Sequence, residues 1–405
     1  MRRLTFERLK PYMKNIFLCL VSFVLTTISK NSNAQVAVAP IEKVYKVAIF
    51  APVYLDSAFN GEKIRPLKSI PKLMLPGLEF IQGAQIAFDT LHLNGKKVEA
   101  FVYDTKARTE SVPWLLKNKK LDHIDLIIGS VREPEFSLLA QFAVQNKIPF
   151  ISSTYPNDGG IRDNPYLVIV NSTLKAHCEG IYSYLVQKHG TDNIYLFRKK
   201  NDSRIDNYFK EINTAEGKPL LKIKTIMLDS SVSSTGMGYL VDTTKPVVII
   251  GASLDEDFST KLADACYPLQ KTNTLTLIGM PNWDGFRNFY KKDAYKNFPI
   301  KYSSPHYDGG VNAFSDFLKN QYFKIYRSEP SDMAYKGFES TYYFTNILMR
   351  FGNQFMEHLN EPSMVTFHEF NFRPVQNNKN NSIDYYENKR LFIMQILNGE
   401  SIRQW

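Results

Sequence analysis

One stretch of this 405-residue chain restricts its fold more than any other: IDLIIGSVREPEFSLLAQFAVQNKIPFISST, Ile124 to Thr154. A short apolar run ends in Gly129, a polar loop follows, and a helical stripe of Phe136, Leu139, Ala140 and Ala143 leads to a second apolar run. Two continuous apolar strands joined by an amphipathic helix form a parallel unit, buried on both faces. Parallel strands place their following loops side by side at one sheet edge, where open α/β sheets bind ligands. Here those loops carry Ser130 and Arg132 after the first strand and Ser152, Ser153, Thr154 and Tyr155 at the end of the second.

The alternation extends along most of the chain. A strand at Val44–Phe50, a helix with the stripe Phe80, Ala84, Ala87, Phe88 and Leu91, a strand at Val98–Tyr103 and a helix at Thr109–Lys119 precede the unit. Helix Leu174–Lys188, strand Asn193–Arg198, helix Asp202–Ile212 and strand Leu220–Leu228 follow it. Strand Pro246–Gly251, helix Glu256–Cys266 and strand Leu275–Gly279 complete a second run of the same design. The fold class is therefore α/β, with two doubly wound, Rossmann-like lobes, as a chain too long for one ordinary core predicts. Beyond an extended Lys301–Tyr307, helical patterns occupy Asn312–Tyr326 and Ser331–Phe351. Val375–Asp384 reads as a polar, turn-rich stretch before a strand pair at Leu391–Ile396 and Ser401–Trp405. No long Gly/Ser or Pro linker separates the lobes, which suggests short crossovers and a hinge.

The N-terminus reads as a secretory signal peptide over residues 1–34. Arg2, Arg3, Arg8, Lys10 and Lys14 precede a 13-residue apolar run, Ile16–Ile28, and Ser32-Asn33-Ala34 supplies small residues for cleavage. The run is shorter than the roughly 20 residues of a spanning helix. Residues 1–34 hold six Lys/Arg and one Glu, so cleavage leaves about +5 of the chain's formal +10. The longest basic run, Arg198-Lys199-Lys200, ends a strand and is not interleaved with aromatics, so nucleic acid is not an expected partner. The expected location is periplasmic or otherwise exported, soluble after cleavage. Cys178 lies on the apolar stripe Leu174, Cys178, Ile181, Leu185, which favours a buried free thiol over pairing with Cys266.

Catalytic signals are weak. The seven histidines show no HxxxH spacing, no GxSxG elbow occurs, and Gly236-Met237-Gly238 lacks the third glycine of a dinucleotide loop. Asp104, ending a strand, has no partner carboxylate in sequence. The expectation is a protein that is not an enzyme, with no metal site and no cofactor.

The order of KVAIFAP (46–52), FIQGAQIAFDTL (80–91), VEAFVYDTK (98–106), IDLIIGS (124–130), IPFISST (148–154), VVIIGAS (247–253), LIGMPNWDGF (277–286) and PSDMAYKGFESTYYF (330–344) resembles the type I periplasmic binding proteins. The nearest branch is the leucine/isoleucine/valine-type solute-binding proteins of ABC transporters. The resemblance implies two lobes joined by three crossovers, near Val168–Leu174, Tyr302–Gly310 and Phe372–Asn380. Lobe one would hold residues 45–170 plus 305–370, and lobe two 171–304 plus 371–405. It implies capture of a small polar ligand, amino-acid-like among the candidates, for ABC-type uptake. A membrane permease or envelope receptor would be the partner, and the protein a monomer or weak dimer. The family's amino-acid binders place a hydroxyl pair after the strand-ending glycine. Here Val131-Arg132-Glu133-Pro134-Glu135 follows Ser130, so the fold transfers and the amino-acid specificity does not. The altered loop motivates an alternative, an envelope sensor or structural module with a diverged cleft.

Each candidate has two readings. Ser130 and the amides opening the Pro134 helix suit an anion, unless Glu133 and Glu135 already occupy that dipole end. Arg132 would clamp a carboxylate or pair with Glu133 or Glu135. Ser152, Ser153 and Thr154 would contact a polar ligand or close a turn on their own backbone. Tyr155 and Trp283 would stack on a ligand or fill the interior. Ser253, after VVIIGA, mirrors the same edge in lobe two.

Overall fold

The strands alternate with helices because apolar runs rich in Val and Ile bury both faces of two largely parallel sheets. The structure, a computed structural model, describes residues 43–405 apart from 61–62, 65–68, 216, 230–232, 292, 294, 307–311, 368 and 378. The expected signal peptide lies outside the described residues.

The strands in chain order are β1 (Tyr45–Ala51), β2 (Phe59–Asn60), β3 (Lys63–Ile64), β4 (Val98–Asp104), β5 (Leu126–Gly129), β6 (Phe150–Ser152), β7 (Leu167–Ile169) and β8 (Asn193–Lys199). Then come β9 (Ile223–Leu228), β10 (Val247–Gly251), β11 (Leu275–Ile278), β12 (Ile300–Ser304), β13 (Phe372–Gln376), β14 (Ile383–Asn388), β15 (Phe392–Leu397) and β16 (Glu400–Arg403). Lobe one is built on a seven-stranded sheet in the order β13-β14-β7-β6-β5-β1-β4, and lobe two on a second in the order β16-β15-β12-β11-β10-β8-β9. The short β2–β3 hairpin stands apart. The expected parallel unit is present: β5 pairs β6 in parallel, with Ile127 opposite Phe150 and Gly129 opposite Ser152.

Each sheet is covered on its faces by helices. In lobe one, helices Leu75–Leu93 and Asp332–Phe351 pack against each other and contribute Phe80, Ala84, Phe344 and Ile347 to the core with Val47, Ile49 and Ile128. The opposite face closes under helix Glu135–Asn146 through Phe136, Leu139 and Ala140. The stripe read at 80–91 is the buried face, with Phe88 half-buried at its edge. In lobe two the strands β8, β10 and β11 lie among Ile181, Leu185, Phe258, Leu262 and Trp283. Cys178 and Cys266 are free and buried, and burial pushes the Cys178 thiol up to about 12.

One expected boundary moves. β14 pairs in parallel with β7, Tyr386 opposite Val168, and β13 pairs antiparallel with β14. Residues 371–388, expected in lobe two, thus extend the lobe-one sheet, and only β15 and β16 join lobe two. Polar residues at the turn hide this hairpin; what anchors it is Tyr385, buried in the lobe-one core. The third crossover therefore runs over 389–391 in place of Phe372–Asn380. Between the end of β7 at Ile169 and the helix opening at Leu174 the chain leaves the lobe-one sheet. The second follows β12, and part of it lies outside the described residues.

The crossovers are tied together by buried polar groups. Ser172 Oγ donates to the Asn388 carbonyl (2.6 Å), and the Thr173 amide donates to Glu387 Oε1 (2.7 Å). Next to them His177 is buried, with Nδ1 2.8 Å from Ser303 Oγ. Burial, then the nearby Lys389 charge, holds its pKa down at about 3. An unfolded histidine titrates near 6.5, so above that pH both states are neutral and no linkage acts. Below it the unfolded chain takes a proton that the folded chain refuses, and stability falls with pH at up to about 1.4 kcal/mol per unit until about pH 3. Urea unfolding is expected to show about 2 kcal/mol less contribution from this residue at pH 5 than at pH 7. His177→Gln should flatten that part of the profile. Superimposable pH profiles for the two proteins would contradict it.

Candidate functional site

The lobe-one ledge is made by the ladder itself. The Ser130 amide donates to the Phe50 carbonyl (2.8 Å) and the Ser153 amide to the Gly129 carbonyl (2.9 Å), so the loops after β5 and β6 run abreast. Ser130 Oγ and Thr154 Oγ1 consequently lie 3.1 Å apart. The Thr154 carbonyl accepts from Asn171 Nδ2 (2.8 Å), which ties the ledge to the first crossover. A hydroxyl pair therefore does form at this edge, its two members supplied by different strands.

Arg132 is exposed beside the ledge. Both acids that competed for it are taken: Glu133 Oε1 accepts from Ser137 Oγ (2.8 Å), and Glu135 pairs with Lys106 (2.7 Å). The Arg132 guanidinium makes no ion pair or hydrogen bond with a described residue. The helix N-terminus is less available than the sequence suggested. The Phe136 amide donates to the Arg132 carbonyl (3.0 Å), and Glu135 sits in the first turn. Tyr155, half-buried, packs edge-on to Phe136 with centroids 5.1 Å apart. Burial and then the Glu133 charge raise its phenol, while Arg132 acts in the opposite sense, which places the guanidinium's field on this ring.

The other expected residues lie deeper. Ser152 and Ser153 are wholly buried behind the ledge, and neither hydroxyl has a hydrogen-bond partner among the described residues. Ser253 is buried too: its Oγ accepts from the Asp255 amide (3.2 Å) at the start of helix Glu256–Gln270. Trp283 is a correction to the stacking expectation. Its ring lies in the lobe-two core against Phe286 and Phe289, with Nε1 donating to the Ser253 carbonyl (3.3 Å). Gly251 and Gly279 are small because that ring covers them; a Cβ at Gly279 would lie 1.9 Å from it. Asp104 has a structural task. Its carboxylate accepts from the amides of Val53 (2.9 Å), Tyr54 (3.1 Å), Leu55 (2.8 Å) and Lys106 (2.9 Å), closing the loop after β1.

Two cavities lie between the lobes. A cavity of about 470 Å³ begins at Pro156, directly after Tyr155, and is walled by Arg162, Gln376 and Lys379 of lobe one and by Arg204 and Tyr208 of lobe two. One of about 280 Å³ sets Asp284 and Tyr302 of lobe two against Asp332, Lys336 and Glu339 of lobe one. None of the eight expected residues lines either cavity. The 375–384 stretch was visible as a polar turn and the Asn157–Gly160 turn was not singled out; only the β14–β7 pairing brings the two to one wall. Among the described residues no group of three or more His, Cys, Asp or Glu could hold a metal ion, and no helix is long and apolar enough to cross a membrane.

Residues 75–206 match a family model described as "Periplasmic binding protein". A comparison with curated protein sequences returned no match. Among solved structures, the chain resembles a putative branched-chain amino acid ABC transporter from Rhodospirillum rubrum (TM-score 0.63, 10% identity, covering 89% of this chain and 100% of that one). It also resembles a branched chain amino acid ABC transporter periplasmic ligand-binding protein from Burkholderia xenovorans (TM-score 0.58, 11% identity, 90% and 95% covered). A third is an ABC transporter substrate-binding protein from Desulfitobacterium hafniense in complex with Leu (TM-score 0.54, 12% identity, 89% and 100% covered). At such identities the likeness is one of fold: two α/β lobes joined by crossovers.

Proposed function

We infer that this chain, whose fold is that of the type I periplasmic binding proteins, is a solute-binding protein that captures a small polar ligand between its lobes. One observation carries the choice of site: the Ser130–Thr154 hydroxyl pair stands at the carboxyl edge of the parallel strands beside an exposed arginine with no partner among the described residues. A hydroxyl pair and a guanidinium fork are complementary to a carboxylate or similar polar head. In this reading the protein is exported with its mature terminus at Gln35, and ligand contacts from both lobes favour closure. An ABC-type permease reads the closed state. Ser152 and Ser153 support the ledge from behind, and Tyr155 forms its rim.

The test is native mass spectrometry of freshly purified protein to identify a co-purified ligand, followed by calorimetry on Arg132→Ala. Loss of a charge-assisted hydrogen bond of about 1.5–3 kcal/mol should weaken an anionic ligand roughly tenfold or more. Melting temperature should hardly change, because Arg132 is exposed. Unaltered affinity for the confirmed ligand would move the site elsewhere in the cleft.

A further inference from the structure

The larger inter-lobe cavity has an electrostatic imbalance that the ledge does not explain. Six charged side chains line it: Arg162, Lys175, Arg204 and Lys379 against Asp158 and Asp384. Both carboxylates are satisfied by the protein. Asp158 accepts from the Gly160 amide (3.0 Å), the Tyr385 hydroxyl (3.1 Å) and Arg162 (3.3 Å). Asp384 accepts from the Asp163 amide (3.0 Å) and Asn377 Nδ2 (3.3 Å), and lies 3.5 Å from Arg162 Nε. Lys175 is held by Glu211 at 2.5 Å. Arg204 and Lys379 remain, and neither side chain has an ion pair or hydrogen bond with a described residue.

Those two cations stand on different lobes. Lys379 belongs to the β13–β14 hairpin of lobe one, and Arg204 opens a helix of lobe two just after β8. Between them the wall includes Tyr208 and Val375, which can face an apolar body, and the amides of Asn157 and Gln376. A volume of about 470 Å³ is within the range of small-molecule sites. We propose that this cavity, which begins at Pro156 and reaches the first crossover at Thr173 and Leu174, is a second binding site for a small organic oxyanion, carboxylate or phosphate, held between Lys379 and Arg204. An anion there touches both lobes, so its binding favours one lobe angle. Its occupancy would thereby bias opening at the ledge.

The probes are citrate and inorganic phosphate, titrated calorimetrically into the mature protein at low salt. At least one is expected to bind, and Arg204→Ala and Lys379→Ala are each expected to weaken it roughly tenfold, the double variant more. Both residues are exposed, so the variants should melt with the wild type. Arg204→Lys should recover part of the loss, since it restores the charge without the fork. Binding of neither probe at millimolar concentration overturns the proposal, as does equal affinity in the double variant. Equal loss in Arg132→Ala would assign the anion to the ledge and overturn a separate site. A ledge ligand that fails in Arg132→Ala while citrate binding persists supports two sites.

Discussion

Lys389→Met is expected to destabilise the protein by about 3–5 kcal/mol, the cost of leaving a buried carboxylate without its counter-ion. Lys389 Nζ sits 2.6 Å from Glu387 Oε2 of lobe one and 2.8 Å from Glu179 Oε2 of lobe two. Glu387 is 1% exposed, and its other oxygen holds the Thr173 amide. This single carboxylate thus pins the first and third crossovers. Burial alone would lower the ammonium pKa, yet the two glutamates overcome that and raise it, so the charge persists. The comparison that isolates the charge is Lys389→Met with Glu387→Gln, which removes both charges of the pair and keeps an acceptor for the Thr173 amide, so that most of the loss should be recovered. Urea denaturation of the single and double variants would decide. A single variant within about 1 kcal/mol of wild type would mean that the carboxylate is solvated after all. Small-angle scattering on the double variant should also show an altered lobe distribution, since the hinge has lost its ionic tie.

Gly337→Ala should be nearly as damaging, at about 3 kcal/mol or more, at the high end of overpacking costs. Its Cβ would lie 2.0 Å from the Phe80 carbonyl oxygen, and Gly83 meets the Ala334 carbonyl at the same distance in return. The two helices therefore touch backbone to backbone, with no flexible side chain able to yield. Separating them would loosen the contact of Phe80 and Ala84 with Phe344 and Ile347 in the lobe-one core. Gly285→Ala is the matched control, since a Cβ there meets nothing within 4 Å and the residue has ordinary φ. Its denaturation midpoint should match wild type, whereas that of Gly337→Ala should fall sharply. Equal midpoints would show that the helices part without loss.

The parallel unit and most helix faces were legible because each rests on local periodicity, whereas the crossovers were implied only by the family resemblance. Phe80, Ala84, Ala87 and Leu91 mark a buried face whatever lies opposite. The short β7 and the β13–β14 hairpin were not. Three residues carry too little pattern for β7, and the hairpin's polar turn masked its anchor, Tyr385. Trp283 illustrates a different limit. A loop tryptophan after a strand at a binding edge reads equally as a stacking platform or as core, and Gly251, 32 residues upstream, together with the nearby Gly279, is what decides for core.

What the sequence determined by itself is the α/β class, the two-lobe design, the absence of a recognisable catalytic motif and the ledge loops, all set by periodicity and by strand-to-loop order. What only the tertiary structure decided is which groups lack partners. Arg132 is open because Glu133 found Ser137 and Glu135 found Lys106. Arg204 and Lys379 share a cavity because β14 chose β7 as its neighbour. Hydrogen bonds and ion pairs are short-ranged and compete for partners, and apart from the Glu133–Ser137 bond, four residues apart, these outcomes depend on distances between residues far apart in the chain. No local pattern encodes those distances.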